Sequence, residues 1–460
     1  MQQVPREWGT QRDREEVEHR SHIFMDQSIK HLRPLVMDRR FVSLYLYKCN
    51  YLYYDIDINL FFVKYINMIF TIPKLPTECQ KVLAKIEDLR SQLQFATSDS
   101  LNRWSGFLAR MASARAIHVS NTMEGINVTF DDAVAAVDRE ERLKPNDEDW
   151  FALLGYREAL DYIIQLSKEP SNYEYSNATF SALHFMIMKY DLSKHPGRFR
   201  PGEIHVTNTA TGETVYTGPD PESVPSLLEE LVGYLNKRSD EDHVIIRAAM
   251  AHLNLTMIHP FKDGNGRLAR ALQTLVLARE QQILSPVFSS IEEYVGRNVS
   301  DYYQVLAEVG QGSWHPENDA LPWIRFCLTA HYRQAMTLLR RIREMGSLYQ
   351  ALEAEIKKFA LNERVTNALI DAAFRISVRN STYRKQAGVS NQVAKNDLAS
   401  LVANGLLLPK GERRWRHYVA SDKLLEIRKA AKIETTRIDP FDELKNEAIQ
   451  KQGKLPGLGS

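Results

Sequence analysis

Twelve consecutive residues, His259-Pro260-Phe261-Lys262-Asp263-Gly264-Asn265-Gly266-Arg267-Leu268-Ala269-Arg270, gather the groups that phosphate chemistry needs. An imidazole can take a proton near neutral pH. Proline disfavours the helical conformation in the residue before it, so the upstream helix should end near His259 and leave the ring at the mouth of the loop. Gly264 and Gly266, with Asn265 between them, permit left-handed backbone angles whose N–H groups converge into an anion-binding nest. The helix that begins near Gly266 points its positive end at the same place. Arg267 and Arg270, three apart on that helix, share a face and can both reach a polyphosphate. Asp263 is a carboxylate of the kind that holds Mg²⁺ against phosphate oxygens. The plainer alternative is a turn joining two helices, with His259 as a helix-terminal residue and the arginines as solvated charge. A lone Asn-Gly turn would favour that alternative, but here every position is occupied as phosphate chemistry requires.

The stretch resembles the motif of the Fic (filamentation-induced-by-cAMP) family, His-x-Phe-x-(Asp/Glu)-Gly-Asn-Gly-Arg-x-x-Arg, at all of its fixed positions. The resemblance covers roughly Pro73 to Leu339 and implies a protein adenylyltransferase that uses ATP and Mg²⁺. It implies that His259 is the general base that deprotonates a hydroxyl on a target protein. That hydroxyl then attacks the α-phosphate, leaving AMP on the target and releasing pyrophosphate. Phe261 would anchor the loop in the core, Asp263 would bind the metal, and Gly264, Asn265, Gly266, Arg267 and Arg270 would hold the phosphates. A branch resembling the Doc toxins has Lys where Gly266 stands, binds the nucleotide the other way round and transfers phosphate. Gly266 therefore argues for transfer of AMP, and a residue without a side chain also leaves room for the chain to wrap the phosphates.

Upstream, Ser120-Asn121-Thr122-Met123-Glu124-Gly125 places Ser120 and Glu124 four apart on one helix face, with Gly125 suited to ending the helix. By spacing alone this is a helix end. It is similar to the inhibitory helix of Fic proteins, (Ser/Thr)-x-x-x-Glu-(Gly/Asn), which implies that Glu124 pairs with Arg270. A carboxylate on Arg270 would occupy the guanidinium meant for the γ-phosphate and leave the α-phosphate misaligned. The resemblance further implies that the same glutamate could support removal of AMP.

Between Ile204 and Tyr216, strand-forming residues flank a Gly-containing turn, which reads as a β-hairpin in an otherwise helical region. After Gly197-Arg198-Phe199-Arg200 it resembles the Fic flap, which covers the nucleotide and takes a target segment by strand addition, and this puts Val206, Thr207 and Asn208 beside ATP. Tyr302 and Tyr303 lie on a helical pattern where family members carry an adenine-contacting tyrosine; Tyr302 is taken as the contact, and either could be core.

The elements that must position these groups are mostly helices. Val82, Ile86, Leu89 and Leu93 form an amphipathic stripe, and helical patterns follow over 101–124, 150–166, 224–235, 243–258, 267–280 and 322–359. The expected fold is mainly α, a helical Fic core with one β-hairpin flap, followed by a small winged-helix domain. At 460 residues the chain allows about two to four domains. We divide it into N-terminal helices over 71–145, a catalytic core over 146–345, a winged helix over 364–430 and a flexible tail over 431–460. The winged helix rests on helices over 381–387 and 391–404 and on strands at Leu406–Leu408 and Trp415–Val419. Residues 364–430 hold 13 Lys/Arg against five Asp/Glu, an excess of eight in a chain whose net charge is +1, so DNA or a protein could dock on Ser390, Asn391, Gln392, Lys395 and Asn396.

No alanine occurs in the first 83 residues, and six of the 20 tyrosines fall between Tyr45 and Tyr65, so 1–70 reads as an atypical, appended or mis-started extension with Met68 as a plausible start. The densely charged opening has no secretory signal, and Lys48, Asp55, Asp57 and Lys64 interrupt the most apolar stretch too often for a membrane span. Cys49, Cys79 and Cys327 are too few and too scattered for a disulfide framework, which suits a cytoplasmic protein. The expected partners are a hydroxyl-bearing target protein or the chain itself, with homodimerisation left open.

Overall fold

A computed structural model describes residues 68–98, 105–140, 147–168, 173–208, 211–237, 242–280, 290–412, 416–434 and 438–452. The expectations placed on residues 1–67 lie outside this range. In chain order the elements are α1 (Thr77–Ser98), α2 (Ser105–Thr122), α3 (Phe130–Val137), α4 (Glu148–Leu166) and α5 (Asn177–Met188), then strands β1 (His205–Thr207) and β2 (Thr214–Thr217). Next come α6 (Val224–Asn236), α7 (Val244–Ile258), α8 (Asn265–Glu280), α9 (Glu292–Arg297), α10 (Val299–Gly310) and α11 (Leu321–Lys358). The chain continues as α12 (Thr366–Ala373), α13 (Asn380–Ala387), α14 (Asn391–Ala403), β3 (Leu407–Lys410), β4 (His417–Ala420), α15 (Asp422–Ala430) and α16 (Pro440–Gln452). The fold is mainly α, as expected, with a small two-stranded hairpin beside the helices.

Helix α7 is apolar nearly all round, and almost every residue from Ile245 to Ile258 is buried, which makes it the centre of the main core rather than an amphipathic surface helix. Its one buried amide, Asn254, clasps the backbone of Phe70 from both sides, with Phe70 N donating to Oδ1 at 2.8 Å and Nδ2 donating to Phe70 O at 3.0 Å. The stripe of Val82, Ile86, Leu89 and Leu93 faces the same core. Helix α11, 38 residues and about 57 Å long, spans two cores. Trp323 to Leu339 belong to the main one, whereas Met345, Leu348, Leu352 and Ile356 join a second with α12, Tyr383, Leu398 and Leu407.

The β1–β2 hairpin is antiparallel, with His205 opposite Thr217, Val206 opposite Tyr216, and a bulge between Val206 and Thr207. Within 364–430 the second hairpin begins and ends one or two residues later than the sequence suggests, and Trp415 lies outside the described residues. Val378 bridges to Tyr418 as a further rung. The tail departs from expectation: 440–452 is a helix, because Asp439 caps the Phe441 amide at 2.9 Å and Phe441 is buried against the main core under Arg325. Lys85 of α1 pairs with Glu443 and Glu447 along the same helix. Among the described residues no helix is long and apolar enough to cross a membrane.

Candidate active site

The loop between α7 and α8 is fixed from several directions. α7 stops at Ile258 because His259 turns left-handed, with φ 50° and ψ 57°, a conformation that costs a residue with a Cβ free energy unless its surroundings hold it. The expected helix end is therefore present, reached through a left-handed cap. Imidazole Nδ1 donates to Thr256 O at 3.1 Å, which leaves Nε2 as the ring's basic nitrogen. Burial, only partly offset by that hydrogen bond and by Glu124, holds the His259 pKa below the ordinary imidazole value, so the ring is neutral at neutral pH.

Three residues beyond the motif hold this loop. Arg200, buried, spends its guanidinium on backbone carbonyls. Nε donates to His259 O at 2.9 Å, Nη1 to Gly202 O at 2.8 Å and Nη2 to Pro219 O, while Arg200 N donates to Pro260 O. One side chain thus ties the loop after α7 to both roots of the β1–β2 hairpin. Tyr216 adds a second tie through its hydroxyl to Met257 O at 2.8 Å. His184 of α5 stacks on Phe261, with ring centroids 3.7 Å apart and 7° between planes. Gly197 N donates to its Nδ1, so Nε2 carries the hydrogen given to Asp263 O at 2.8 Å. Burial lowers the His184 pKa to about 4 and keeps the ring in that neutral tautomer.

Within the loop, Phe261 is fully buried, as expected. Asn265 exchanges two hydrogen bonds with the Phe261 backbone, accepting from its N at 2.9 Å and donating to its O at 2.8 Å, so its side chain shapes the loop. Gly264 has φ 74°, and a Cβ there would lie 2.6 Å from Met188 Sδ. Asp263 Oδ1 accepts from Gly264 N at 2.6 Å, and Oδ2 faces Lys194 Nζ at 3.3 Å. That carboxylate is partly exposed and open to an ion.

The two arginines sit in different states. Arg267 is 1% exposed, with Nη2 against Met188 Sδ and Tyr190 OH, while Nε and Nη1 are buried without a protein acceptor. Leaving such donors unsatisfied costs about 1–3 kcal/mol, a deficit that an anionic ligand would remove. Arg270 is fully engaged. Nη2 donates to Glu124 Oε1 at 2.7 Å and to Ser120 O at 3.0 Å, and Nε donates to Ser120 Oγ at 2.9 Å. Glu124 reaches it because α2 ends in a Schellman cap: Gly125, at φ 79°, donates to Thr122 O and Ile126 N donates to Asn121 O. Gly266 makes room for the pair, since a Cβ there would come within 2.5 Å of Glu124 Oε1.

Tyr302 and Tyr303 separate cleanly. Tyr302 is 1% exposed and its hydroxyl meets His252 Nε2 at 3.1 Å within the core, with the Arg270 guanidinium also close by. Tyr303 is 48% exposed, and its pKa is raised by burial and by nearby Glu124. The helical pattern contained that signal: Tyr302, Val305, Leu306 and Val309 form the buried stripe of α10, and Tyr303 lies off it. Val206 is half-buried on β1, with Thr207 and Asn208 exposed.

Residues 175–277 match the Fic/DOC family model, a span that holds His184, Arg200, the hairpin and the whole loop but starts after Glu124. The chain is 27% identical over 262 residues to a protein adenylyltransferase Fic of Nematostella vectensis, covering 55% of each sequence. It is 37% identical over 106 residues to protein adenylyltransferase fic-1 of Caenorhabditis elegans, covering 22% of this chain and 20% of that one. The chain thus spans about half or less of the length of these curated relatives. A Fic family protein from Desulfovibrio desulfuricans G20 shares the fold at 19% identity and a TM-score of 0.50, covering 77% of this chain and 99% of its own. The loop and the hairpin thus both lie within the span that is similar to the Fic/DOC family model.

Proposed function

We propose that the chain is a protein adenylyltransferase held in a resting state by Glu124. The observation that carries this is a neutral imidazole with Nε2 available, set beside a buried guanidinium whose Nε and Nη1 lack acceptors. His259 Nε2 takes the proton of a target hydroxyl, whose oxygen bonds to the α-phosphorus of ATP. The bond from that phosphorus to the oxygen bridging the α- and β-phosphates breaks, and pyrophosphate leaves. Arg267 and the first amides of α8, which have no intrahelical acceptor, hold the phosphates. Asp263 would hold Mg²⁺, and the ion when bound neutralises phosphate charge. Val206, Thr207 and Asn208 line the nucleotide from the flap. Tyr303 rather than Tyr302 contacts the adenine on this reading. Glu124 on Arg270 keeps the γ-phosphate from its guanidinium, and the same carboxylate could support removal of AMP. Buried thiols at Cys79 and Cys327 suit a reducing cytoplasm.

The test is incubation with labelled ATP, with label on the chain itself or on a lysate protein supporting the reading. Arg267→Ala should weaken ATP binding by roughly ten-fold or more, since a charge-assisted contact contributes about 1.5–3 kcal/mol. Unchanged affinity by calorimetry counts against the phosphate placement. Residues 364–430 we take as a winged helix, whose exposed Arg384, Lys385, Lys395 and Lys410 favour a nucleic-acid backbone. Titration of a labelled duplex at two salt concentrations decides this, with salt-sensitive binding expected and none pointing to protein docking instead.

A further inference from the structure

Helix α2 belongs to two cores at once. Its C-terminal half carries Met111, Ala114 and Ile117 in the main core and delivers Ser120 and Glu124 to Arg270. Its N-terminal half is built into the second core, where Leu108 is buried among residues of α11, α12 and the second hairpin, and the Phe107 ring meets that of Phe374 at a tilt, with centroids 5.0 Å apart. Between them stands Arg110. Its Nε and Nη2 grip both oxygens of Asp138, at the end of α3, at 2.6 Å, and its Nη1 grips Asp371 of α12 at 2.6 Å. All three side chains are largely shielded from water. The α2–α3 unit is held to residues 364–430 at further points. Ser377 donates to Asp131, Arg379 pairs with Glu140, and Thr382 donates to Glu140.

We infer that Arg110, gripped by Asp371, is a positioning residue for Glu124, so that residues 364–430 control the active site through α2. The inference rests on the reading of Glu124 as an inhibitor. A helix moves nearly as a rigid rod, and Arg110 and Ser120 are about 15 Å apart along it. A ligand or substitution that shifts α12 therefore shifts the cap that carries Glu124. Among the described residues the Glu124 carboxylate is held by one oxygen on Arg270, a contact that a displacement at the far end of α2 would loosen.

Asp371→Asn keeps the side-chain size and removes the charge that Arg110 needs. It should speed hydrogen exchange of the Glu124, Gly125 and Ile126 amides by about 2- to 30-fold, the range typical of coupling mutations, while α7 amides keep wild-type rates. Unchanged exchange at 124–126, or equal acceleration in α7, overturns the coupling. AMP transfer should rise over the same range in Asp371→Asn, with no further rise when Glu124→Gly is already present. A rise that adds to that of Glu124→Gly also overturns it. Should Asp371→Asn fail to fold, Phe107→Leu decides by the same readouts, because it loosens the Phe374 contact without touching charge. Faster exchange at 124–126 with a silent Glu124→Gly would sink the reading of Glu124 as an inhibitor and leave the structural coupling standing.

Discussion

Replacing His259 by Ala lowers AMP transfer by roughly 10²- to 10⁴-fold, the usual contribution of a general base, and leaves ATP binding nearly intact. The separation follows from the geometry. The imidazole spends Nδ1 on Thr256 O and keeps Nε2 for the proton, whereas the phosphate donors belong to Arg267 and the start of α8. Loop shape should survive, because Arg200 grips the backbone carbonyl of residue 259 and not its ring. The pH profile gives a second check. Burial lowers the His259 pKa, which disfavours the charged ring, so the neutral base persists below the ordinary imidazole range and the acid limb of the rate falls there. Transfer at the wild-type rate in His259→Ala would falsify the assignment.

Glu124→Gly should raise AMP transfer, because it frees Arg270 for the γ-phosphate and clears the space beside Gly266 that the carboxylate fills. Differential phosphate contacts of this kind are worth about 1.5–3 kcal/mol, or roughly 10- to 150-fold in rate. Stability should fall at the same time. A buried guanidinium that loses its carboxylate keeps only Ser120, and breaking a buried pair costs up to about 3–5 kcal/mol, partly regained when ATP binds. Glu124→Gln separates the causes, since it keeps the size and removes only the charge. Removing the carboxylate also lowers the His259 pKa further, because Glu124 holds it up, so the acid limb should move to lower pH in both variants. Labelling no higher than wild type in either variant would leave 120–125 as an ordinary capped helix end.

The loop could be read from sequence because its base, carboxylate, glycines and arginines occupy one short run, where local rules of turn and helix start decide the geometry. From its four-residue spacing and glycine the Ser120–Gly125 segment was legible only as a helix end, and its pairing with Arg270 entered through the resemblance. Arg200 and His184 were not legible as loop supports. Their partners lie 59 and 79 residues away, and nothing local marks an arginine that will bind carbonyls or a histidine that will stack on a phenylalanine. Resemblance supplied a tyrosine without its phase on α10, so it did not show that Tyr302 is buried and Tyr303 exposed. The tail was read as flexible from its polarity, and tertiary burial of Phe441 overrode that composition. Arg110 joins elements 261 residues apart in the chain, a relation only the folded molecule reveals.

If the hairpin receives a target segment as proposed, the Arg200 clamp also sets what that segment can present. Among the described residues β1 pairs only with β2. A peptide laid along the outer side of β1 would take on the strand's alternation, with like-facing side chains about 7 Å apart. Because Arg200 fixes the hairpin roots to the carbonyl of His259, the imidazole stands at a fixed mark on that ruler. A hydroxyl one residue along points to the opposite face, and one two residues along overshoots the ring by a full repeat. On the proposed reading substrate choice would be a matter of phase: the surrounding sequence would decide which single oxygen arrives in step, and a neighbouring serine or threonine would be passed over however exposed it is.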